Sequence, residues 1–466
     1  MATPTPLHDG PPVVTPVSPL NPGVRRREVL GWAMYDFANS GYTTVIITAV
    51  FAAYFVGGVA QGASWATLAW TVALSLSYAI VMMTMPVIGA WGDRHGAKKR
   101  LLALTTFGCV VSTWALSWVS PGDVVLGMAL IVVSNTFYTY GESLIAAFLP
   151  ELATGPGMGR VSGWGWALGY VGGMLCLGLC LAYVLQAQAR GEAASAFVPV
   201  TVVMTALFYG AASLFTFAWL RERAVPGAVA PTPPDGAPFR QWQQLRRSLS
   251  ALRDYPELAR LLACIVAYQA GVAVAITLAA IYAEQVMGFQ PQETMVLIFA
   301  LNLAATAGAF ALGHAQDRWG HQRTLALTLV GWVITCAVVA SAHSKSVFWA
   351  AAVLAGLCLG SSQSAGRAMT GLLIPSRHSA EFFGLWSFAV RAASIIGPLL
   401  YGLITWITAG NQRLAIGVTG GLFLLGLWWL RPLDMQRGRA RVSSDDCLPS
   451  AGCADSAHTK TPRSTD

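Results

Sequence analysis

The sequence predicts an all-α, polytopic membrane protein: 12 transmembrane helices in two pseudo-symmetric six-helix bundles. Three observations carry this. Of 466 residues, 55% are hydrophobic and 11% charged, against about 25% charged in soluble domains. Apolar runs of about 20 residues, long enough to cross a ~30 Å hydrocarbon core as helices, recur along the chain. A signature, G-x-x-x-D-R-x-G-x-x-[RK], occurs twice, 224 residues apart.

The apolar runs number twelve, at 29–56, 65–90, 99–119, 122–149, 161–185, 197–220, 258–284, 292–314, 323–342, 346–374, 381–408 and 413–432. In lipid every backbone polar group needs an internal partner, which leaves helices or closed barrels. The short dyad alternation of barrel strands is absent. The predicted organisation is a disordered cytoplasmic N-terminus (1–27), a first bundle (28–220), a cytoplasmic linker (221–257), a second bundle (258–432) and a disordered cytoplasmic tail (433–466). Within the linker, Trp242, Leu245, Leu249 and Leu252 recur at helical spacing among arginines. That pattern suits a basic amphipathic helix on the inner membrane surface; a regulatory ligand site is the alternative.

The net charge of +8 marks topology rather than nucleic-acid binding. With the N-terminus in the cytoplasm, 24 of the 29 Lys and Arg fall on inner loops and tails. This asymmetry places both ends on the cytoplasmic side of the membrane, expected to be the cell (inner) membrane. Residues 1–24 hold no apolar run, so no cleavable signal peptide is expected and the first span serves as the anchor. Six of the eight cysteines lie in spans, and Cys447 and Cys453 lack ligand spacing. Neither a metal site nor a cofactor is expected.

The two copies of the signature are Gly89, Asp93, Arg94, Gly96 with Lys99, and Gly313, Asp317, Arg318, Gly320 with Arg323. Each is a charged hairpin between two spans. A second landmark repeats: GESLIAAFLP at 141–150 and GRAMTGLLIP at 366–375, offset by 225. Both have Gly, a charge, and Pro eight residues after that charge. Two landmarks agreeing within one residue indicate two related halves, the usual setting for alternating access about a shared central pocket.

Charges inside spans are costly, ~2.5–3.5 kcal/mol on insertion scales, and normally face a cavity or a partner. Four stand out: Asp36, Glu142, Arg367 and Arg391. Tyr35, Asn39 and Tyr42 share a face of the first span, with Asp36 beside it. Asp36 is read as a proton or substrate-amine site, or as a helix-end carboxylate paired to a loop arginine. Glu142 and Arg367 occupy repeat-equivalent positions, so they are expected to meet across the halves as an inner gate; pairing within each half is the alternative. Arg391 has no repeat-equivalent charge and could hold a substrate carboxylate, or neutralise Asp36 or Glu142. Tyr268, Gln269, Asn302 and Asn135 are further polar candidates for the cavity wall, and His314 is read as structural. Gly163, Gly165, Gly169, Gly172 and Gly173 give the fifth span a face for close helix packing.

Twelve spans with this signature at loops 2–3 and 8–9 resemble the major facilitator superfamily. More narrowly, the chain looks like the branch related to the fungal vacuolar amino-acid effluxers of autophagy. The resemblance covers about 28–432, through GWAMYDFANSGYTTVIITAVFAAYF, LPEL followed by GRVSGWGWALGYVGG, AYQAGVAVAI and GRAMTGLLIPSRHSAEFFGLWSFAVRAASIIGPLLYG. It implies that Asp93 and Asp317 cap or pair with a neighbouring helix at the inner face and hold one conformer closed; an ordinary charged turn is the alternative. The chain departs from the family in carrying Ala270 where an Asp precedes the span-seven Gly, and Ala146 where an Asn is usual.

The function expected is a secondary active transporter, not an enzyme, moving a small solute such as an amino acid or short peptide. No nucleotide-binding motif is present, so a proton gradient is the expected drive, with Asp36 and Glu142 as titratable candidates. The predicted partners are the solute, protons and the lipid bilayer, with no nucleic acid, and the protein is expected to be a monomer. Drug or metabolite efflux is the alternative. A sensor that has lost transport and a polytopic enzyme are two further classes, the latter disfavoured by seven scattered histidines.

Overall fold

The computed structural model describes residues 18–223, 246 and 250–447. Twelve of its helices are long and apolar enough to cross a membrane. The first six are α1 (Arg26–Val59), α2 (Ala66–His95), α3 (Lys98–Trp118), α4 (Val124–Leu152), α5 (Gly155–Ala189) and α6 (Ala194–Trp219). The second six are α7 (Pro256–Gln285), α8 (Pro291–Trp319), α9 (His321–Ser341), α10 (Lys345–Leu372), α11 (Ser379–Ile407) and α12 (Gln412–Leu430). They form two six-helix bundles. The bundles meet along two principal seams, α2 against α11 and α5 against α8.

The apolar surface expected of lipid-facing helices is present. Leu68, Phe107, Leu214, Leu399 and Trp406 are all well exposed. The helix in α1 widens into π turns at Thr43–Ala49 and Phe55–Val59. Such turns are rare, and they collect at functional sites.

Where helices cross, glycine sets the distance. A Cβ on Gly384 of α11 would stand 2.9 Å from the backbone of Pro86 in α2. The fifth-span glycines serve close packing against two helices: a Cβ on Gly172 would lie 2.7 Å from the Phe37 carbonyl carbon and one on Gly173 3.2 Å from Thr44, both in α1, while one on Gly163 would lie 2.5 Å from the Ala309 carbonyl oxygen in α8.

Two expectations need correction. The segment 1–27 is not wholly disordered. Residues before α1 pair with the α4–α5 connection, Asn21 Nδ2 donating to the Pro150 carbonyl at 2.9 Å and Thr154 N–H to the Pro19 carbonyl at 3.0 Å. The tail from 433 is likewise ordered at its start, forming α13 (Met435–Cys447). Its hold is physical: Leu433 and Val442 are buried, and the Asp434 N–H donates to Glu257 Oε2 at 2.9 Å. Of the amphipathic helix read from Trp242, Leu245, Leu249 and Leu252, the first three lie outside the described residues, as do 1–17 and 448–466, while Leu252 is half-buried in a turn before α7.

Candidate functional site

The two hairpins are built alike. Gly96 ends α2 at φ +57°, and Gly320 follows α8 at φ +93°, conformations that suit glycine. Gly89 and Gly313 serve closeness instead. A Cβ on Gly89 would stand 2.5 Å from the Ala380 carbonyl carbon at the start of α11, and one on Gly313 would stand 3.0 Å from Gly163 Cα in α5. Each position is therefore where one bundle touches the other.

The hairpin carboxylates cross that contact. Asp93 accepts the N–H groups of Ala380 (3.1 Å) and Glu381 (2.9 Å), in the first turn of α11. Asp317 accepts the Gly159 N–H at 3.1 Å and Arg160 Nε at 3.2 Å, at the start of the long helical run of α5. Carboxylates at helix N-termini satisfy orphan donors and favour the dipole. The arrangement is repeated in both halves and always joins one bundle to the other.

Arg94 and Arg318, which adjoin these carboxylates in the signature, form no ion pair with them among the described residues. Arg94 Nε is buried without a partner and Arg318 is exposed. Lys98 is the cation on the first side. Its ammonium donates to Ser379 Oγ at 2.8 Å, stands 3.9 Å from Asp93 and pairs with Glu151. Sequence reading assigned no role to Lys98 or Glu151, although Glu151 lies in the LPEL segment.

The expected Glu142–Arg367 pair is not formed. The four in-span charges do meet across the bundles, with partners exchanged. Arg367 Nη1 of α10 donates to Asp36 Oδ2 of α1 at 2.7 Å, and Arg391 of α11 pairs with Glu142 of α4. Equivalence in the repeat equalises depth, but it does not bring the two positions together.

The Asp36–Arg367 pair is sealed. Arg367 Nη2 donates to the Ser162 carbonyl (3.0 Å) and Nε to Ser162 Oγ (3.3 Å), both on α5. Its Cζ lies 4.6 Å from the Trp32 ring and 5.2 Å from that of Trp166. Arg367 is 2% exposed and Asp36 6%. Gly165 makes the room: a Cβ there would fall 2.6 Å from both Asp36 Oδ2 and Arg367 Nη2. A charge at that depth is tolerable only when paired and fully hydrogen-bonded.

The Glu142–Arg391 pair is looser, with side chains 17% and 10% exposed. Arg391 Cζ lies 5.2 Å from the Tyr78 ring. One turn before Glu142 on α4, Tyr138 stacks on Tyr42 of α1 at 5.0 Å, and the Tyr42 hydroxyl bonds Ser134 of α4 at 2.8 Å.

The remaining candidates scatter. Tyr268 donates to the Ser362 carbonyl at 3.3 Å and Gln269 to Gln363 at 2.6 Å, both ties between α7 and α10. Asn135 donates to Ser77, and Asn302 and His314 bond their own helices. Asn39 is buried in α1. An apolar cavity lies within the second bundle, lined by residues such as Gly271, Tyr282, Trp332 and Phe348. The in-span charges do not line it; they are packed between the bundles.

A second symmetric pair also escaped sequence reading. Glu28 accepts from Arg223 Nη2 at 2.7 Å, just after α6, as Glu257 accepts from Asp434 N–H just after α12. Both are buried carboxylates at the start of a bundle's first helix. That shared position was the available signal.

Comparison with known proteins agrees with this architecture. The family model for vacuole effluxer Atg22-like proteins matches residues 52–443. An uncharacterised MFS-type transporter of Bacillus subtilis, YxiO, is 27% identical over 403 residues, 85% of this chain and 92% of that one. Autophagy-related protein 22-1 of Aspergillus niger is 22% identical over 306 residues, 60% of this chain and 48% of the fungal one. Among solved structures, the human organic anion transporter MFSD10 superposes with a TM-score of 0.69 at 16% identity, covering 87% of this chain and 99% of that one.

Proposed function

We propose, from the premise that the chain belongs to the vacuole effluxer Atg22-like family of the major facilitator superfamily and is a membrane transporter, that it carries a small solute by alternating access. The solute class is an amino acid or short peptide, and the drive is a proton gradient across the inner membrane, with the hairpins on the cytoplasmic side. One observation supports this reading above the others. Asp93 and Asp317, one in each half, both cap a helix of the opposite bundle at the hairpin end. Contacts of this kind hold the hairpin end shut and are weak enough to reverse: a carboxylate at a helix N-terminus is worth about 0.3–2 kcal/mol.

The two buried ion pairs lie between the bundles as well, so the state described is one in which the halves are tied from the hairpins to the middle of the spans. Opening toward the hairpin side has to break these ties, and closing the opposite end would compensate. Asp36 and Glu142 are the groups offered for proton coupling, since each gives up a cationic partner when the bundles part.

The test is counterflow and uptake of labelled amino acids in proteoliposomes, with and without an imposed pH gradient. Uptake above protein-free vesicles that follows the gradient is expected. Solute movement indistinguishable from empty vesicles for every amino acid and short peptide would overturn the reading.

A further inference from the structure

Two arginines of the second bundle reach into the first, and they are not equivalent. Arg367 is saturated. Nη1 is on Asp36, Nη2 and Nε are on Ser162, and two indoles flank its guanidinium. A ligand there would have to replace all of these contacts at once.

Arg391 is incomplete. Its Nη2 donates to Glu142 Oε2 and Tyr78 is a further side-chain hydrogen-bond partner, while its Nε is buried with no acceptor among the described residues. The residue is only 8% exposed, so water does not readily supply the missing bond, and a buried donor left unmade is costly. Nε and Nη2 share one edge of the guanidinium. That edge is the fork that a carboxylate fits with two parallel hydrogen bonds. Glu142 uses half of it, through one oxygen.

Glu142 is also the most exposed of the four in-span charges, at 17% of its side chain against 9% for Asp36. It can therefore leave Arg391 more easily than Asp36 can leave Arg367. The Tyr78 ring lies under the guanidinium, with Cζ 5.2 Å from its centroid, and steadies Arg391 without supplying an acceptor to Nε.

We propose that Arg391 is the receptor for a carboxylate on the transported solute, and that Glu142 holds its place until the solute arrives. The solute's two oxygens take Nε and Nη2, satisfying the orphaned donor, and Glu142 is released. Because the Glu142–Arg391 pair joins the bundles, its exchange for a ligand also removes one tie between them. Binding thereby loosens the closed state, while the Asp36–Arg367 pair remains as the second tie. This inference rests on the carrier reading above and names the group of that solute which is recognised, its free carboxylate, and the residue that receives it.

The test uses the full-length, detergent-purified protein and its thermal unfolding in the presence of each L-amino acid, its carboxamide, and straight-chain monocarboxylates from acetate to hexanoate. Binding to the folded state raises the apparent midpoint by mass action. One or more free acids should stabilise the wild type while the matching carboxamides do not. Glu142→Gln, a weaker competitor for the same fork, should lower the half-saturating acid concentration about tenfold. Arg391→Gln should abolish the effect and Arg391→Lys should retain a weakened one.

Carboxamides that stabilise as well as their acids would overturn the proposal, as would Glu142→Gln binding acids no more tightly or the absence of stabilisation by any acid in both proteins. Should the Arg391 variants fail to fold, the acid-to-amide comparison and Glu142→Gln still decide it. Ligand-free alternation of the two ends, followed by spin-label distances, separates this from the parent reading. Alternation without acid selectivity removes the carboxylate receptor alone; no alternation removes both.

Discussion

Asp36 of the first bundle and Arg367 of the second meet at 2.7 Å, 331 residues apart in sequence. Both are buried, so the pair is a committed contact between halves rather than a surface ornament. Removing one partner of a buried pair typically costs about 3–5 kcal/mol, because the other charge is stranded. Asp36→Asn is expected to lower the unfolding midpoint markedly and further than Glu142→Gln, whose partner Arg391 is less enclosed. Equal or reversed shifts would contradict this ranking.

Gly165 offers a steric test of the same pair. A Cβ there falls 2.6 Å from Asp36 Oδ2 and Arg367 Nη2, whereas one on Gly178 in the same helix meets nothing within 4 Å. Gly165→Ala should destabilise the protein and impair transport. Gly178→Ala should be neutral, or stabilise by about 0.4–1 kcal/mol through the unfolded chain. Thermal unfolding of the two variants side by side checks this, and a harmless Gly165→Ala would refute the packing argument.

The hairpin carboxylates make a prediction about populations. Asp93→Asn removes the charge facing the first turn of α11, an interaction worth up to about 2 kcal/mol, or roughly thirtyfold in an equilibrium. Ser379 is fully buried beside it. In a protein carrying Ser379→Cys, adding Asp93→Asn should speed alkylation of that thiol by up to this factor. An unchanged rate would show that the contact does not hold the end shut.

Glu257 anchors α13. It accepts from Asp434 N–H at 2.9 Å and Arg260 at 2.6 Å, with Arg437 3.6 Å away. Hydrogen bonds to a charged group contribute about 1.5–3 kcal/mol each. Glu257→Ala should therefore accelerate tryptic cleavage at Arg437, Arg439 and Arg441 by about tenfold or more, since cleavage follows the population of the opened segment. Unaltered cleavage would mean that Leu433 and Val442 hold the helix alone.

The architecture was legible because its causes are local. Long apolar runs dictate spanning helices, and the repeated signature around Asp93 and Asp317 declares two related halves. The family resemblance pointed to Asp93 and Asp317 as caps on a neighbouring helix, whereas Gly89 and Gly313, expected only to permit tight turns, emerged as points of approach between the bundles through packing alone. Pairing across the seam was not legible. Glu142 and Arg367 share a repeat position, and symmetry suggested that they meet. The partner of Arg367, however, is set by the glycine at position 165 and by Ser162, features of α5 that only three-dimensional packing brings beside α1 and α10. Lys98 and Glu151 were missed for a related reason. A lysine next to a hairpin reads as a surface charge, yet Lys98 is buried because Ser379 and Glu151 close over it. The ordered start of the tail depended on Glu257, a buried carboxylate that joins the Asp434 N–H and Arg437 of the tail to Arg260 of its own helix, a meeting of distant segments that sequence does not advertise.

The central claim, that the bundles alternate about ties at the hairpin end, is tested most directly by distances between spin labels on a cysteine-free background. One pair replaces Arg100 and Arg318 at the hairpin end, and the other replaces Gln61 and Asn411 at the opposite end; all four positions are exposed. Combining Asp93→Asn with Asp317→Asn should lengthen the first distance and shorten the second within the same sample. If both distances stay fixed, or both move in one direction, the bundles do not alternate and the account fails.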